Sequence, residues 1–304
     1  MTKYMPEGRN TADSAPFNLP GLIDAMEHNK VLEAKATMCD SDHNLLVDLG
    51  IGTVKGIIPR EEGAIGISDG SVRDIALISR VNKPVCFTVT NVVQHDGKYT
   101  AYLSRREAQE ICTRDYISQL KPGDIIEARV THLESFGAFC DIGCGVIALM
   151  PIDAISVSRI SHPKDRFFPG DDIYAVVRSI DENGRISLSH RELLGTWQEN
   201  ADRFMQGQTV SGIIRTVEEY GVFVELAPNL AGLAELRDGV APGQQASVYI
   251  KSIIPEKMKI KLIIIDSFDA DYAPPEIEYF FTGNHIDSWQ YSPDCSRKQI
   301  VTEF

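Results

Sequence analysis

The sequence predicts a mainly β chain of three consecutive five-stranded barrels joined by short helices. Three observations carry this: the chain matches itself, each copy is cut into short alternating strands by turn signals, and helical spacing falls before or between the copies. The match is clearest where PGDIIEARVTHLESFGAF (122–139) lies over QGQTVSGIIRTVEEYGVF (206–223) at a constant offset of 84. It resumes at 73–74, where FPGDDIYAVVRSID (168–181) meets APGQQASVYIKSII (241–254) and RISLS (185–189) meets KIKLI (259–263). The change of offset means that the last copy lacks about ten residues between its third and fourth strands.

The elements follow in order. Residues 1–27 are an N-terminal arm ending in a short helix, LPGLIDAMEHNK, with Pro20 near its start. Residues 28–108 are a weaker first copy, in which NKVLEAKATMCDSDHNLLVDLG (29–50) fits the same frame and KPVCFTVTNVVQHDGKYTAYLSRRE (83–107) closes it. The second and third copies occupy 118–193 and 205–266, and 267–304 is an acidic, aromatic extension. Pro122-Gly123, Pro169-Gly170, Pro242-Gly243, Asp96-Gly97 and Asn183-Gly184 divide the strands. Three strands, a variable excursion and two more make five per copy, and closing such a sheet removes its edges, as in an OB-fold. SRREAQEICTRDYISQL (104–120) and SHRELLGTWQENADRF (189–204) read as linker helices. The extension holds Phe268, Tyr272, Tyr279, Phe280, Phe281, Trp289, Tyr291 and Phe304, too much aromatic surface to leave in water, so strands or a hairpin packed on the third barrel are expected. A partner-binding arm is the other reading.

With 304 residues the chain suits two or three modest domains. Its longest apolar stretch, IKLIIID (260–266), is far short of a bilayer span, and no apolar run follows the first charges as in a secretory signal, so no membrane partner and a cytoplasmic location are expected. The six cysteines form no Cys-x-x-Cys pair and read as buried free thiols. A net charge of −13 is awkward for a nucleic-acid binder: residues 28–114 balance 11 basic against 11 acidic residues, and no segment is basic overall. Any RNA binding must therefore rest on stacking and local patches.

Phe136 and Phe139 flank Gly137 in SFGAFCDIG, and Tyr220 and Phe223 repeat the arrangement in EYGVFVEL. A bulge or a strand start at the glycine brings both rings to the outer face, where they stack on unpaired bases for about 1–3 kcal/mol each. Core aromatics are the alternative, and recurrence of the pair beside the same glycine opposes it. The segment SVSRISHPKDRFFPGD (156–171) concentrates Arg159, His162, Lys164, Arg166, Phe167 and Phe168, and reads as a mobile clamp for a single strand or as a structural loop.

These pieces together, F-G-A-F and Y-G-V-F-V-E-L, then A-G-L-A-E-L, P-G-D-D-I and R-I-S-L-S, resemble the S1 RNA-binding domain of the ribosomal protein S1 family over roughly residues 28–266. The resemblance implies an RNA face made of the two aromatics, a histidine in the G-L-x-H-x-S segment and a basic residue before the last strand. Arg185 and Lys259 fill the basic position, with Lys257 and Lys261 beside the latter. The histidine position holds Pro151 in the second copy and Glu235 in the third, and Glu235 would repel phosphate. The first copy departs furthest, with His43, Leu46, Pro59 and Thr100 at these positions. The resemblance gives such a barrel a contact with the small ribosomal subunit.

The expected RNA-binding set is therefore Phe136, Phe139, His162, Lys164, Arg166, Phe168, Arg185, Tyr220, Phe223, Lys257 and Lys259. No nucleophile elbow, phosphate loop, zinc motif or dinucleotide fingerprint occurs, so no catalytic residue, metal, cofactor or small-molecule substrate is expected. The expected function is binding of single-stranded RNA, messenger RNA above all, with little sequence preference. Stacking does not separate RNA from single-stranded DNA. A protein-interaction scaffold of acidic barrels and an accessory module of an RNA-processing enzyme are the rivals.

Overall fold

The computed structural model describes residues 4–9, 17–270 and 276–304. The remaining parts of the arm and of the extension, Tyr272 among them, lie outside the described residues. Two compact units are present: Met1–Leu120 with Glu127–Arg129 and Asp141–Ile147, and Lys121–Ile126 with Val130–Cys140 and Ala148–Phe304.

The chain is mainly β and forms three closed barrels. The first holds β1 (Leu32–Cys39), β2 (Leu45–Asp48), β3 (Val54–Ile58), β4 (Pro84–His95) and β5 (Lys98–Ser104). The second holds β6 (Ile125–Glu134), β7 (Gly137–Asp141), β8 (Ile147–Pro151), β9 (Asp172–Ile180) and β10 (Ile186–Ser189), and the third β11 (Thr209–Glu218), β12 (Gly221–Ala227), β13 (Leu230–Ala234), β14 (Gln245–Ile254) and β15 (Lys259–Phe268). In each, the strands run around the barrel in the order first, second, third, fifth, fourth, as OB-folds do, with third and fifth parallel. Inward residues alternate along the strands, so Ala34, Ala36, Leu45, Val47, Phe87 and Leu103 fill the first barrel and Ile214, Val222, Val224, Val248, Ile250 and Leu262 the third.

Helix α1 (Leu19–Glu27) starts at Asn18, whose side chain accepts from the Gly21 amide at 2.8 Å, and it seals the first barrel with Leu22 and Ala25. Helix α3 (Arg105–Asp115) follows α2 (Ile75–Ile78) and is capped by Ser104. Its Arg105 holds the buried Glu7 of the arm by two bonds, of 2.7 and 3.0 Å. The expected linker helix 104–120 stops at Asp115 and ends in a 3-10 turn. That expected at 189–204 is broken, because Gly195 takes a φ of +82°. A 3-10 turn (Arg191–Leu193) and the short α4 (Trp197–Ala201) replace it, the latter closed by reciprocal Thr196 and Glu199 bonds.

The extension forms the hairpin of β16 (Ser288–Gln290) and β17 (Val301–Glu303), and Trp289 and Tyr291 join the third barrel's core. It also packs on second-barrel residues, beyond what the sequence suggested. The Tyr279 ring lies 5.3 Å from that of Tyr174, and His285 bonds Asp124 at 2.6 Å. Cys86, Cys112, Cys140 and Cys144 are buried, but Cys39 is only half-buried and Cys295 is exposed, which corrects the expectation of six buried thiols.

Candidate nucleic-acid interface

The second strand of each of the last two barrels opens on a glycine that has no room for a side chain. A Cβ at Gly137 would meet the Met150 carbonyl oxygen at 2.4 Å, and one at Gly221 the Ala234 carbonyl oxygen at 2.5 Å. This close approach starts the strand at the glycine and leaves the preceding ring in the turn, beside the outward ring of the strand's third residue. Phe136 is 54% exposed and Tyr220 69%, while Phe139 and Phe223 are half-buried. Phe136 and Phe139 meet edge to face at 5.9 Å and 89°, and Tyr220 and Phe223 at 6.0 Å and 86°. The two barrels therefore present the same ring pair in the same geometry, with one face of the turn ring open.

Strand register extends this platform in the third barrel. Thr216, Phe223, Leu233 and Lys261 lie opposite one another across four strands. A groove of about 310 Å³ is lined by Tyr220, Phe223, Leu233, Lys257 and Lys259, which brings together all four third-barrel residues expected from sequence. Lys257, Lys259 and Lys261 are exposed, as is Glu235.

In the second barrel His132 stacks on Phe139, with centroids 6.2 Å apart and planes at 27°, and a ring nitrogen lies 2.7 Å from Glu134. Sequence reasoning missed this histidine. It sits 84 residues before Thr216, which pairs with Phe223, and that self-match was the available signal; alternation hid it, because His132 shares the parity of the buried Ile126, Ala128 and Val130 of β6. Arg185 is exposed in the hairpin before β10, where its amide donates to Asp181 at 2.8 Å.

The 156–171 segment corrects the expected mobile clamp. His162 is half-buried and caps a 3-10 turn (Pro163–Asp165), its Nδ1 accepting from the Lys164 amide at 3.1 Å. Phe167 is fully buried against His190, at 5.1 Å. Arg166 is buried as well: its guanidinium donates to Glu225 at 2.6 Å, and Arg215 holds the same carboxylate by bonds of 2.9 and 3.1 Å. Burial pushes the Arg166 pKa down despite this pairing. Arg166 therefore serves the fold and does not face a ligand, because a guanidinium withdrawn from water needs its carboxylate. Lys164 and Phe168 stay on the surface, and so does Arg159, which the expected set left out.

The first barrel has no ring pair on the corresponding face. Its matching row is Met38, Leu46, Ile57 and Tyr102, apolar and without a cation, with Met38 49% exposed and Tyr102 39%. Among the described residues no group of three or more His, Cys, Asp or Glu side chains is placed to hold a metal, and no helix is long and apolar enough to cross a membrane.

Residues 119–191, the second barrel, match the family described as the S1 RNA binding domain. The small ribosomal subunit protein bS1 of Staphylococcus aureus (strain COL) is 28% identical over 260 residues, covering 80% of this chain and 63% of that protein. The protein of the same name from Leuconostoc lactis is 28% identical over 233 residues, covering 72% and 52% respectively. The chain thus spans between 52% and 63% of the length of these relatives. Among solved structures, a multidomain protein with nucleic acid binding domains from Streptococcus pneumoniae covers 78% of this chain and 73% of its own at 16% identity and a TM-score of 0.25, a superposition that carries no functional weight.

Proposed function

We propose that this chain, which carries an S1 RNA binding domain and is homologous to bacterial ribosomal protein bS1, binds single-stranded RNA with little sequence preference. The observation that carries the reading is the repeated edge-to-face pair, Phe136 with Phe139 and Tyr220 with Phe223, each with an exposed ring beside an outward one. Stacking at such a platform tolerates any base, the Lys257 and Lys259 that line the same groove as Tyr220 and Phe223 supply charge for phosphates, and Arg185 occupies the position in the second barrel that Lys259 occupies in the third. Lys164 and Phe168 extend the surface, and His132 joins it. His162 keeps its place in the set by position only, since its nitrogen caps a turn.

The RNA in this reading is messenger RNA, and the setting is translation on the small ribosomal subunit in the cytoplasm. Relatives named for that subunit support the association, and the apolar row of the first barrel supports giving the protein contact to that barrel. The same row and the net charge of −13 favour a second reading, a scaffold that binds proteins only. No step of either reading calls for catalysis.

Fluorescence anisotropy with a labelled unstructured RNA of about twelve nucleotides, on the scale of one or two OB sites, separates them. Wild-type binding is expected to weaken as salt rises, and Phe136→Ala/Phe139→Ala to weaken it about tenfold, from the loss of about 1–3 kcal/mol of stacking. Absence of binding at low salt would leave the scaffold reading standing.

A further inference from the structure

The geometry points to a composite nucleotide site on the third barrel, completed by Arg159 from the inserted loop of the second barrel. The inference rests on the RNA-binding reading above and adds that the third barrel's grip on a strand is not its own alone.

The loop reaches the third barrel because its backbone is pinned there. The Val157 amide donates to the Asn229 side-chain oxygen at 2.9 Å, the Ser158 amide to the Pro228 carbonyl at 3.2 Å, and the Ser158 hydroxyl to the Ala227 carbonyl at 3.4 Å. Asn229 is fully buried and spends its own amide hydrogens on the Arg191 and Gly195 carbonyls, at 2.7 and 2.8 Å. Further along, Arg166 anchors the loop on Glu225 of β12. Arg159 is the first residue past the pinned pair, so its Cα is held while its side chain is free to turn.

That side chain lines a groove of about 300 Å³ together with Arg215, Thr216, Glu218, Tyr220 and Phe223. The groove shares Tyr220 and Phe223 with the one that holds Lys257 and Lys259. The ring pair is thus flanked by cations on both sides, as a base needs when the phosphates before and after it are to be neutralised. Charge decides which residue matters on the Arg159 side. Arg215 and Arg166 are committed to Glu225 and, for Arg215, to Asp165 at 3.6 Å, so this buried group carries no net charge outward. Glu218 is exposed and opposes phosphate. Arg159 is exposed and, among the described residues, makes no hydrogen bond or ion pair, which leaves it as the cation that offsets Glu218. The third barrel lacks a long loop of its own between β13 and β14, and the second barrel's loop supplies what it lacks.

The test uses the full chain and the same twelve-nucleotide RNA probe, in the Phe136→Ala/Phe139→Ala background, where remaining affinity reports the third barrel. Arg159→Ala is expected to weaken that affinity about five- to tenfold and to lower the salt slope by about one phosphate contact. Arg159→Lys is expected to retain most of the affinity, and Glu218→Gln to tighten binding. An unchanged urea midpoint for Arg159→Ala shows that the fold is intact. Equal affinities with and without Arg159, or no affinity left in the ring-deleted background, would overturn the composite site while wild-type binding keeps the RNA-binding reading. Loss of wild-type binding itself would sink that reading first.

Discussion

Truncating Glu225 to alanine should be the most damaging single change within the second unit outside its apolar cores. The carboxylate is buried and receives three guanidinium bonds, from Arg166 at 2.6 Å and from Arg215 at 2.9 and 3.1 Å. The two arginine side chains are only 4% and 7% exposed, so solvent screens little of what is lost. Glu225→Ala removes the carboxylate that both buried guanidinium groups share, with Asp165 standing 3.6 Å from Arg215. Breaking such a group costs about 3–5 kcal/mol. Arg166→Ala removes one arm and leaves the two-bond pair of Arg215 with Glu225, so its cost is smaller, about 1–3 kcal/mol. The only two tryptophans, Trp197 and Trp289, both lie in the third barrel's core, so intrinsic fluorescence reports that barrel's unfolding directly. With a urea dependence of about 1.5 kcal/mol per molar, reasonable for a small barrel, Glu225→Ala should lower the midpoint by about 2–3 M and Arg166→Ala by about half as much. Equal midpoints for Glu225→Ala and wild type, or a larger loss for Arg166→Ala, would refute the argument.

His190 is buried between Phe167 and Tyr279, with its ring nitrogens on the Ile155 carbonyl and the Tyr279 hydroxyl, and burial holds its pKa down at about 4. The unfolded chain takes up a proton near pH 6.5 and the folded one does not, so stability should be full above that pH and fall as pH drops toward 4, by up to about 3 kcal/mol. The ring-proton resonances of His190 in a pH titration, and a flattened stability profile in His190→Phe, check this. His285 is the opposite case: hydrogen bonding to Asp124 raises its pKa, so its hold on the extension is complete at low pH and fades as pH rises through the raised value. Limited proteolysis of the extension should then accelerate with pH in wild type and be fast throughout in His285→Ala. Gly221→Ala forces a side chain to 2.5 Å from the Ala234 carbonyl at a φ of +147°, so it should cost about 1–3 kcal/mol by urea melting and weaken RNA retention together with stability.

The succession of strands along each copy and the ring pairs were legible because both are local. Turn dipeptides mark the strands, and a self-match at offset 84 carries the glycine and its two aromatics from β7 to β12. What the sequence hid is long-range. Arg166 sits in a run of basic and aromatic residues that has the composition of a strand clamp, and only the fold shows Glu225, 59 positions away, waiting for it in the interior. Phe167 and Phe168 are neighbours of one type, yet the first is buried and the second 54% exposed, a difference set by the turn that Pro163 begins. Helical spacing over 189–204 is real on both sides of Gly195, but one left-handed residue divides it. His132 escaped notice because the family resemblance draws attention to the third strand, where this chain has Pro151.

The ten or so residues by which the third copy is shorter, and the extra length of the second, are two sides of one arrangement. An OB barrel binds on the face of its second and third strands with the loops between first and second and between fourth and fifth strands, which leaves the excursion between third and fourth strands free for another use. Here the second barrel's excursion buries Phe167 and Arg166 and is pinned to the β12–β13 turn through Asn229. Stability and ligand contact in the third barrel then run through the same loop, so they should fail together. Asn229→Ala, which releases the Val157 amide and both carbonyls that Asn229 caps, is expected to lower the tryptophan-reported urea midpoint and to weaken third-barrel RNA binding even though residue 229 touches neither ring. A variant that loses one property and keeps the other would show that the loop only braces the barrel or only meets the strand.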